Sequence, residues 1–312
     1  MPLADNPILL LGAHRSGTTW LGKIFDSHPD VLYRHEPDHS DPDSTASRAT
    51  IDRWIDNRSQ RSAAKRPFFR KSWQSAPGFW LRAGLTGLLA AGSRLPVLGA
   101  PIARLPVPDF GNPRRVAIKS IDWCDGIGAF ARTFPDSRTI VILRHPCGQV
   151  ASVMRGAKQG RFSLREAGTD MPFDKNATMC FAARHGVDDA TFQALPAAAK
   201  YAWDWVRFNE TATNALKGMP NAQFVVYEDL CARPAALARA LLAFCGLDWN
   251  NQTETFIANS THHTGAVGYY TVFRDSIAAA ERWRASMAPD DQAAVLSVVR
   301  QSALRQFWPD FG

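Results

Sequence analysis

The 312-residue sequence predicts an α/β fold of three layers, in which helices cover both faces of a central parallel sheet. Short apolar runs alternate along the chain with segments that have helical spacing. Residues 139–143, Thr-Ile-Val-Ile-Leu, form the clearest of these runs. Nearly every position in the runs is apolar, which is typical of parallel strands buried on both faces. We expect one domain, residues 1–312, with ligands bound at the carboxyl ends of its strands.

Each predicted strand leads into a turn and a helix. After the first strand, Leu21, Ile24 and Phe25 recur at helical spacing. Pro146 lies where the first turn of a helix tolerates proline, and Gly246 ends a later helix. The strands are expected at residues 7–11, from about 31 until Glu36-Pro37, 116–119, 139–143 and 223–227. The helices are expected after the first strand, at 125–134, from 146 to about 156, at 196–216, at 234–245 and from 289.

Two segments do not fit this alternation. Residues 38–47 are expected to form a loop, residues 48–115 are the least regular part of the chain, and residues 157–195 are expected to be rich in loops. Of the 36 basic and 29 acidic residues in the chain, 13 and 3 lie between positions 48 and 115, so this segment carries +10 and the remainder −3. Aromatic residues are interleaved with its cations: Trp54, Phe68, Phe69, Trp73, Phe79 and Trp80. Either the aromatics are buried beneath a solvated basic face, or the segment contacts a substrate or a membrane surface.

Composition restricts the class of protein. A hydrophobic content of 46% excludes a disordered chain. The five cysteines lack C-x-x-C spacing, which indicates reduced thiols in a cytoplasm. No basic segment followed by an apolar one marks a signal peptide, and the longest uncharged runs are too short to span a bilayer. We therefore expect a cytoplasmic protein, which could also associate peripherally with the inner membrane surface.

The segment from Gly12 to Trp20 contains the strongest motif. It has the pattern G-x-x-x-x-G-T-T between a strand and a helix, close to the phosphate loop G-x-x-x-x-G-K-[ST]. Backbone N–H groups in such a turn bind an anion. Thr18 replaces the lysine that contacts the terminal phosphates of a triphosphate, and Arg15 places a cation inside the loop. The pattern favours a loop that binds a nucleotide with another group in place of the terminal phosphates. The alternative is an ordinary glycine turn that binds no ligand.

Arg144 marks a second anion site. It follows the strand 139–143, where a phosphate-loop triphosphatase commonly has an aspartate that helps hold Mg²⁺. A cation at this position argues against a metal-dependent triphosphate site. Ser152 lies two turns into the next helix and offers a hydroxyl. The alternative is an arginine that caps the edge of the sheet through a salt bridge.

These motifs resemble the sulfotransferases that use 3′-phosphoadenosine 5′-phosphosulfate (PAPS). The stretch R-S-G-T-T-W followed by H-P-D-V-L-Y-R-H-E-P is similar to their 5′-phosphosulfate loop, most of all in the tyrosylprotein and carbohydrate branches. R-H-P-x-x-x-x-x-S resembles their 3′-phosphate motif, and Y-E-D-L resembles a segment near the adenosine. Arg274 and the cluster Arg282-Trp283-Arg284 resemble the late basic loop of the family only loosely. The resemblance implies these cofactor-binding residues: Arg15, Ser16, Gly17, Thr18, Thr19, Trp20, Arg144, Ser152, Tyr227 and Arg274.

The resemblance also implies catalytic roles. Lys119 and Arg15 would contact the transferred sulfuryl group. Small-molecule sulfotransferases have a histidine base two residues after such a lysine, but Ile121 occupies that position here. Glu36 matches the glutamate that deprotonates the acceptor in other branches. His35 and Asp122 remain alternative bases.

The expected activity is sulfuryl transfer from PAPS to a hydroxyl or an amine, with PAP as product, no metal and no nucleic-acid partner. The two insertions, 38–115 and 157–195, would cap the acceptor side. The acceptor is expected to be a glycolipid, polysaccharide or other amphiphilic metabolite, and the basic segment could contact an anionic membrane. A phosphate-loop kinase and a non-catalytic anion- or membrane-binding protein are the alternatives.

Overall fold

A computed structural model describes residues 5–41, 45–95, 97, 99–103, 105–121, 123–160, 173–261, 273 and 275–308. Its five strands form one all-parallel sheet in the order β2-β3-β1-β4-β5. Their bounds are β1 Ile8–Leu11, β2 Val31–His35, β3 Arg115–Ser120, β4 Arg138–Leu143 and β5 Ala222–Val226. All five strands agree with the predicted positions to within one or two residues.

Helices connect the strands and continue past the last one. They are α1 Thr18–Ser27, α2 Arg48–Asp56, α3 Gln60–Ala63, α4 Ala76–Gly92, α5 Gly99–Ala103, α6 Ile127–Thr133, α7 Pro146–Lys158, α8 Lys175–Ala183, α9 Asp189–Ala194, α10 Ala197–Leu216, α11 Tyr227–Ala232, α12 Pro234–Phe244, α13 Asn251–Thr261, α14 Ser276–Ser286 and α15 Pro289–Val299. Short 3₁₀ helices cover Pro37–Ser40 and Ala303–Phe307. Within the described part of the chain, no helix is long and apolar enough to cross a membrane.

Side chains of β1 alternate between two apolar layers. Leu9 and Leu11 pack in the layer on one face of the sheet, and Ile8 and Leu10 pack in the layer on the other. All four are at most 1% exposed. The sheet is therefore buried on both faces, and the predicted three-layer α/β/α fold is confirmed.

The register of the strands aligns their carboxyl ends. His35 of β2 lies beside Lys119 of β3, and Leu143 of β4 lies beside Val226 of β5. Because β1 lies between β3 and β4, the loop after β1 is placed between Lys119 and the residue that follows Leu143. The predicted site residues at strand ends consequently lie along one edge of the sheet.

The expectation of a loop-rich segment at 157–195 was wrong for its second half, which forms α8 and α9. Each of these helices begins at an aspartate that caps it: Asp174 accepts a hydrogen bond from the Ala177 N–H, and Asp188 accepts one from the Thr191 N–H. Such caps satisfy donors that a helix N-terminus leaves unpaired. Sequence reasoning also missed α13 and α14.

Candidate active site

The loop between β1 and α1 has the backbone of an anion cradle. Arg15 and Gly17 adopt left-handed conformations, with φ of 68° and 103°. Gly17 is the N-cap of α1 and has no side chain with which to cap it. The N–H groups of Thr18 and Thr19 lie in the first turn, where a helix offers them no internal acceptor. These donors and the positive end of the helix dipole can bind an anion.

Gly17 is also required by its contact with Tyr227. A Cβ at position 17 would lie 2.5 Å from Tyr227 Cδ2, closer than atoms can approach. The Tyr227 ring is buried beneath the loop and meets Trp20 edge-on, with 6.4 Å between ring centroids. Tyr227 therefore supports the loop, which gives it a structural role besides the predicted one near the adenosine.

Arg144 connects the loop to the end of β4. Its Nη1 donates to the Arg15 carbonyl at 2.9 Å and its Nη2 to the Ala279 carbonyl at 3.1 Å, while its guanidinium lies 4.5 Å from the centre of the Tyr227 ring. Arg15 in turn donates from Nε to Ser152 Oγ at 3.2 Å. The sequence suggested two separate cationic sites, but the structure joins Arg15, Arg144 and Ser152 in one cluster.

Two buried polar atoms in this region lack a hydrogen-bond partner among the described residues. Ser16 Oγ and Arg144 Nε are buried, and neither has a hydrogen-bond partner among the residues that the structure describes. Buried polar groups are nearly always paired in native proteins. Their position in the loop and beside it fits a site that an anion completes.

Glu36 follows β2 in a left-handed conformation, with φ of 50°. Lys119 donates a short hydrogen bond to its Oε1, and Arg61 Nη2 donates to its Oε2 at 2.6 Å. His35 Nε2 lies 3.6 Å from Oε1. The Glu36 and Lys119 side chains are 10% and 1% exposed, so this is a buried ion pair. The structure thus brings together Glu36 and Lys119, which lie 83 positions apart.

The surrounding cations set the charge of this carboxyl. Burial alone would raise the pKa of Glu36, but the Lys119 ammonium and the hydrogen bonds from Lys119 and Arg61 outweigh it and hold that pKa well below its ordinary value. Glu36 is therefore ionised at neutral pH. Burial, together with the Lys119 charge, lowers the pKa of His35 well below its usual range. The neutral His35 ring is held by Tyr33, whose hydroxyl lies 2.9 Å from Nδ1. The other alternative base, Asp122, lies outside the described residues.

The segment 48–115 supplies cations that sequence reasoning did not assign to the site. Arg61, in α3, binds Glu36 directly. Burial lowers the pKa of Lys65. The charge of Glu36 opposes this shift, and the charges of Arg61 and Arg15 add to it, so Lys65 lies within electrostatic range of all three. No motif marks these residues. Their only signal was the density of cations in the segment.

Contacts from two later elements hold the turn after Arg144. The His145 N–H donates to Glu228 Oε1 at 3.1 Å. The His145 ring stacks on Trp283 of α14, with 4.4 Å between centroids and 13° between planes. Burial, followed by the charges of Arg284 and Arg144, lowers the pKa of His145 to about 3. Trp283 thus packs in the interior, while the predicted cofactor residue Arg274 lies outside the described residues.

Comparison with known proteins identifies the class. A family model described as the sulfotransferase family matches residues 7–251. No curated protein matches the chain significantly. Solved structures similar to it include a sulfotransferase domain from the curacin biosynthetic pathway, with 13% identity, a TM-score of 0.47 and coverage of 95% of this chain and 96% of that one. Mouse sulfotransferase SULT7A1 in complex with PAP has 14% identity, a TM-score of 0.48 and coverage of 99% and 89%. Sulfotransferase STF9 from Mycobacterium avium has 15% identity, a TM-score of 0.46 and coverage of 99% and 78%.

The family model covers well over half of the chain, including the loop, Glu36, Lys119 and Arg144. The protein belongs to the sulfotransferase family. This confirms the family that the sequence motifs indicated.

Proposed function

We propose that the protein transfers a sulfuryl group from PAPS to a hydroxyl or an amine. The observation that carries this proposal is that two groups of residues lie together at one edge of the sheet. The loop contacts Arg144 and Ser152, and Glu36, just after β2, pairs with Lys119 of the neighbouring strand β3. The loop with Arg144 and Ser152 suits the binding of an anionic nucleotide, and Glu36 with Lys119 offers an acid–base group beside a cation.

PAPS carries negative charge at both ends of its ribose. The loop N–H groups, Ser16, Thr18 and Thr19 would bind its 5′-phosphosulfate, and Arg144 and Ser152 would bind its 3′-phosphate. The unpaired Ser16 Oγ and Arg144 Nε are donors that fit such anions. Arg15, between the two positions, would neutralise charge on the phosphosulfate.

The reaction would be an in-line displacement at sulfur. A lone pair of the acceptor oxygen or nitrogen forms the new bond to sulfur, and the bond from sulfur to the 5′-phosphate oxygen breaks, with its electron pair leaving on PAP. The acceptor proton passes to the Glu36 carboxylate. Positioning and charge stabilisation by Arg15 and Lys119 supply the catalysis, by analogy with phosphoryl transfer.

The Glu36–Lys119 ion pair suggests how proton transfer is coupled to bond cleavage. While Lys119 binds Glu36, the lowered pKa makes this carboxylate a weak base. Charge that develops on the leaving oxygen would draw the Lys119 ammonium toward it. The pKa of Glu36 would then rise toward the range in which a carboxylate accepts a proton.

Labelled transfer tests this function. Protein incubated with ³⁵S-PAPS and amphiphilic hydroxyl acceptors should yield labelled product without added divalent metal. Glu36→Gln should reduce turnover by roughly 10²–10⁴-fold, the usual scale for a general base. In parallel, PAP should raise the melting temperature more than ATP with Mg²⁺ does, because a ligand stabilises the state it binds. Equal or greater stabilisation by ATP with Mg²⁺ would favour the kinase instead.

A further inference from the structure

Helix α4 exposes an entirely apolar face. Each of its residues that is exposed to solvent is apolar, and these residues are Ala76, Pro77, Trp80, Leu81, Gly84, Leu88 and Ala91. Trp80, Leu81 and Leu88 are 70%, 62% and 74% exposed. Positions 77, 81, 84, 88 and 91 recur every three or four residues, so they form one stripe along the helix. A helix on the surface of a water-soluble domain normally presents charged and polar residues there.

The polar residues of α4 lie on its other side. Thr86 is buried and donates to the Arg82 carbonyl, and the Arg82 guanidinium donates to the Ala63 carbonyl of α3 at 2.8 Å. Leu89 is buried in a small apolar cluster with Ala63. The helix is therefore anchored by its polar and buried face, and the apolar stripe is directed outward.

Further exposed apolar residues follow the helix. Leu95 is 50% exposed, Val97 is 84% exposed and Leu105 is 48% exposed. Of the eight large hydrophobic residues that are exposed in the described structure, seven lie between positions 80 and 110. Apolar exposure concentrated in this way marks an interaction surface.

The segment that carries this surface has charged residues of one sign only. Residues 57–108 contain no aspartate or glutamate, whereas they contain nine basic residues: Arg58, Arg61, Lys65, Arg66, Arg70, Lys71, Arg82, Arg94 and Arg104. Arg66 lies against α4, because a Cβ at Gly87 would be 3.8 Å from its Nη2. Arg94 is exposed just beyond the last residue of the helix. An apolar stripe edged by cations is complementary to an anionic lipid surface.

We propose that α4 binds the protein to an anionic bilayer, with Trp80, Leu81 and Leu88 inserted at the level of the headgroups. Tryptophan is favoured at that depth because its ring is amphipathic. Arg66, Arg70 and Arg94, which are exposed, would contact the lipid phosphates and carboxylates. Both features that such binding needs, an apolar stripe and adjacent cations, lie within residues 57–108.

The same helix lies one element away from Glu36. Arg82 of α4 binds the backbone of α3, and Arg61 of α3 binds the Glu36 carboxylate. A bilayer bound at α4 would therefore lie on the side of the site where Glu36 is located. This inference rests on the proposed function. It assigns the acceptor to amphiphiles whose polar head leaves the membrane while their chains remain in it.

Vesicle co-sedimentation tests the surface. Wild-type protein should bind vesicles of phosphatidylcholine with phosphatidylglycerol and should bind pure phosphatidylcholine vesicles at least about fivefold more weakly, since each basic residue near an anionic surface contributes on the order of 1 kcal/mol. Leu81→Glu and Leu88→Glu should each weaken binding to anionic vesicles by roughly tenfold or more, because they place a charge where an apolar side chain would be buried. Ile277→Glu is the matched control. Ile277 is 61% exposed, as Leu81 is, but lies in α14, and its replacement should leave vesicle binding unchanged.

Two measurements separate this proposal from the proposed function. The rise in melting temperature caused by PAP should be the same in Leu81→Glu, Leu88→Glu and wild type, which also shows that the variants are folded. Absence of wild-type binding to anionic vesicles, or equal loss in Ile277→Glu, would overturn the membrane surface even if PAP binds. Light scattering that shows a dimer, dissociated by Leu88→Glu, without vesicle binding would assign the face to a second copy of the chain and likewise overturn it.

Discussion

Replacing Glu36 by glutamine should leave the Lys119 ammonium buried without its ion-pair partner. The Lys119 side chain is 1% exposed and Glu36 is its ion-pair partner in the structure. Loss of one partner of a buried pair lowers the free energy of unfolding by about 3–5 kcal/mol. Arg61 also loses its partner, but its side chain is 47% exposed and water can solvate it.

Removing both charges should restore most of this stability. Well-packed neutral residues of similar volume often replace a buried ion pair with little change in stability. We therefore expect Glu36→Gln with Lys119→Met to lie within about 2 kcal/mol of wild type, and above Glu36→Gln alone. Urea unfolding of the wild type, both single variants and the double variant measures the four free energies. If the two single effects simply add in the double variant, the buried ion pair does not exist as described.

Three further predictions concern acid, the nucleotide and the loop. Because the folded-state pKa of Glu36 lies below its ordinary value, its contribution to stability is present above about pH 4.5 and is lost as the pH falls toward that lower pKa. The free energy of unfolding of Glu36→Gln should therefore depend less on pH below about 4.5 than that of the wild type. An unchanged pH dependence would contradict the lowered pKa. Arg144→Ala should weaken PAP binding, measured by calorimetry, by roughly 1.5–3 kcal/mol, the range for hydrogen bonds to charged groups, whereas equal affinity would exclude Arg144 from the site. Gly17→Ala should lower the melting temperature and abolish PAP binding, since its φ is 103° and its Cβ would lie 2.5 Å from Tyr227; normal stability and PAP affinity would show that the loop is not so constrained.

The sheet and the anion loop could be predicted because their signals are local. Five apolar runs gave the strands, and the spacing of glycines after the first run gave the loop. The meeting of Glu36 with Lys119 followed from both residues ending parallel strands, although their direct ion pair depends on the register of β2 against β3. The roles of these residues in binding and catalysis stay predictions.

Contacts made through tertiary structure could not be read from the sequence. The Ala279 carbonyl that binds Arg144 is a backbone group, and the only sequence signal in its helix was the loose match at Arg282-Trp283-Arg284. Trp54 and Trp80 lie in the same basic segment, yet Trp54 is 1% exposed and Trp80 is 70% exposed. The two interpretations of that segment, buried aromatics or an exposed contact surface, therefore each describe a part of it. Only the packing of α2 and α4 distinguishes the two parts.

A crystal structure with bound PAP would test the proposed donor site most directly. The 5′-phosphate should lie within hydrogen-bond distance, about 2.7–3.2 Å, of the backbone N–H groups in the loop from Gly12 to Thr19. The 3′-phosphate should contact Arg144 or Ser152, and the Glu36 carboxylate should lie nearer to the 5′-phosphate than to the 3′-phosphate. A PAP molecule bound elsewhere, or one with its 5′-phosphate away from this loop, would contradict the assignment of the site.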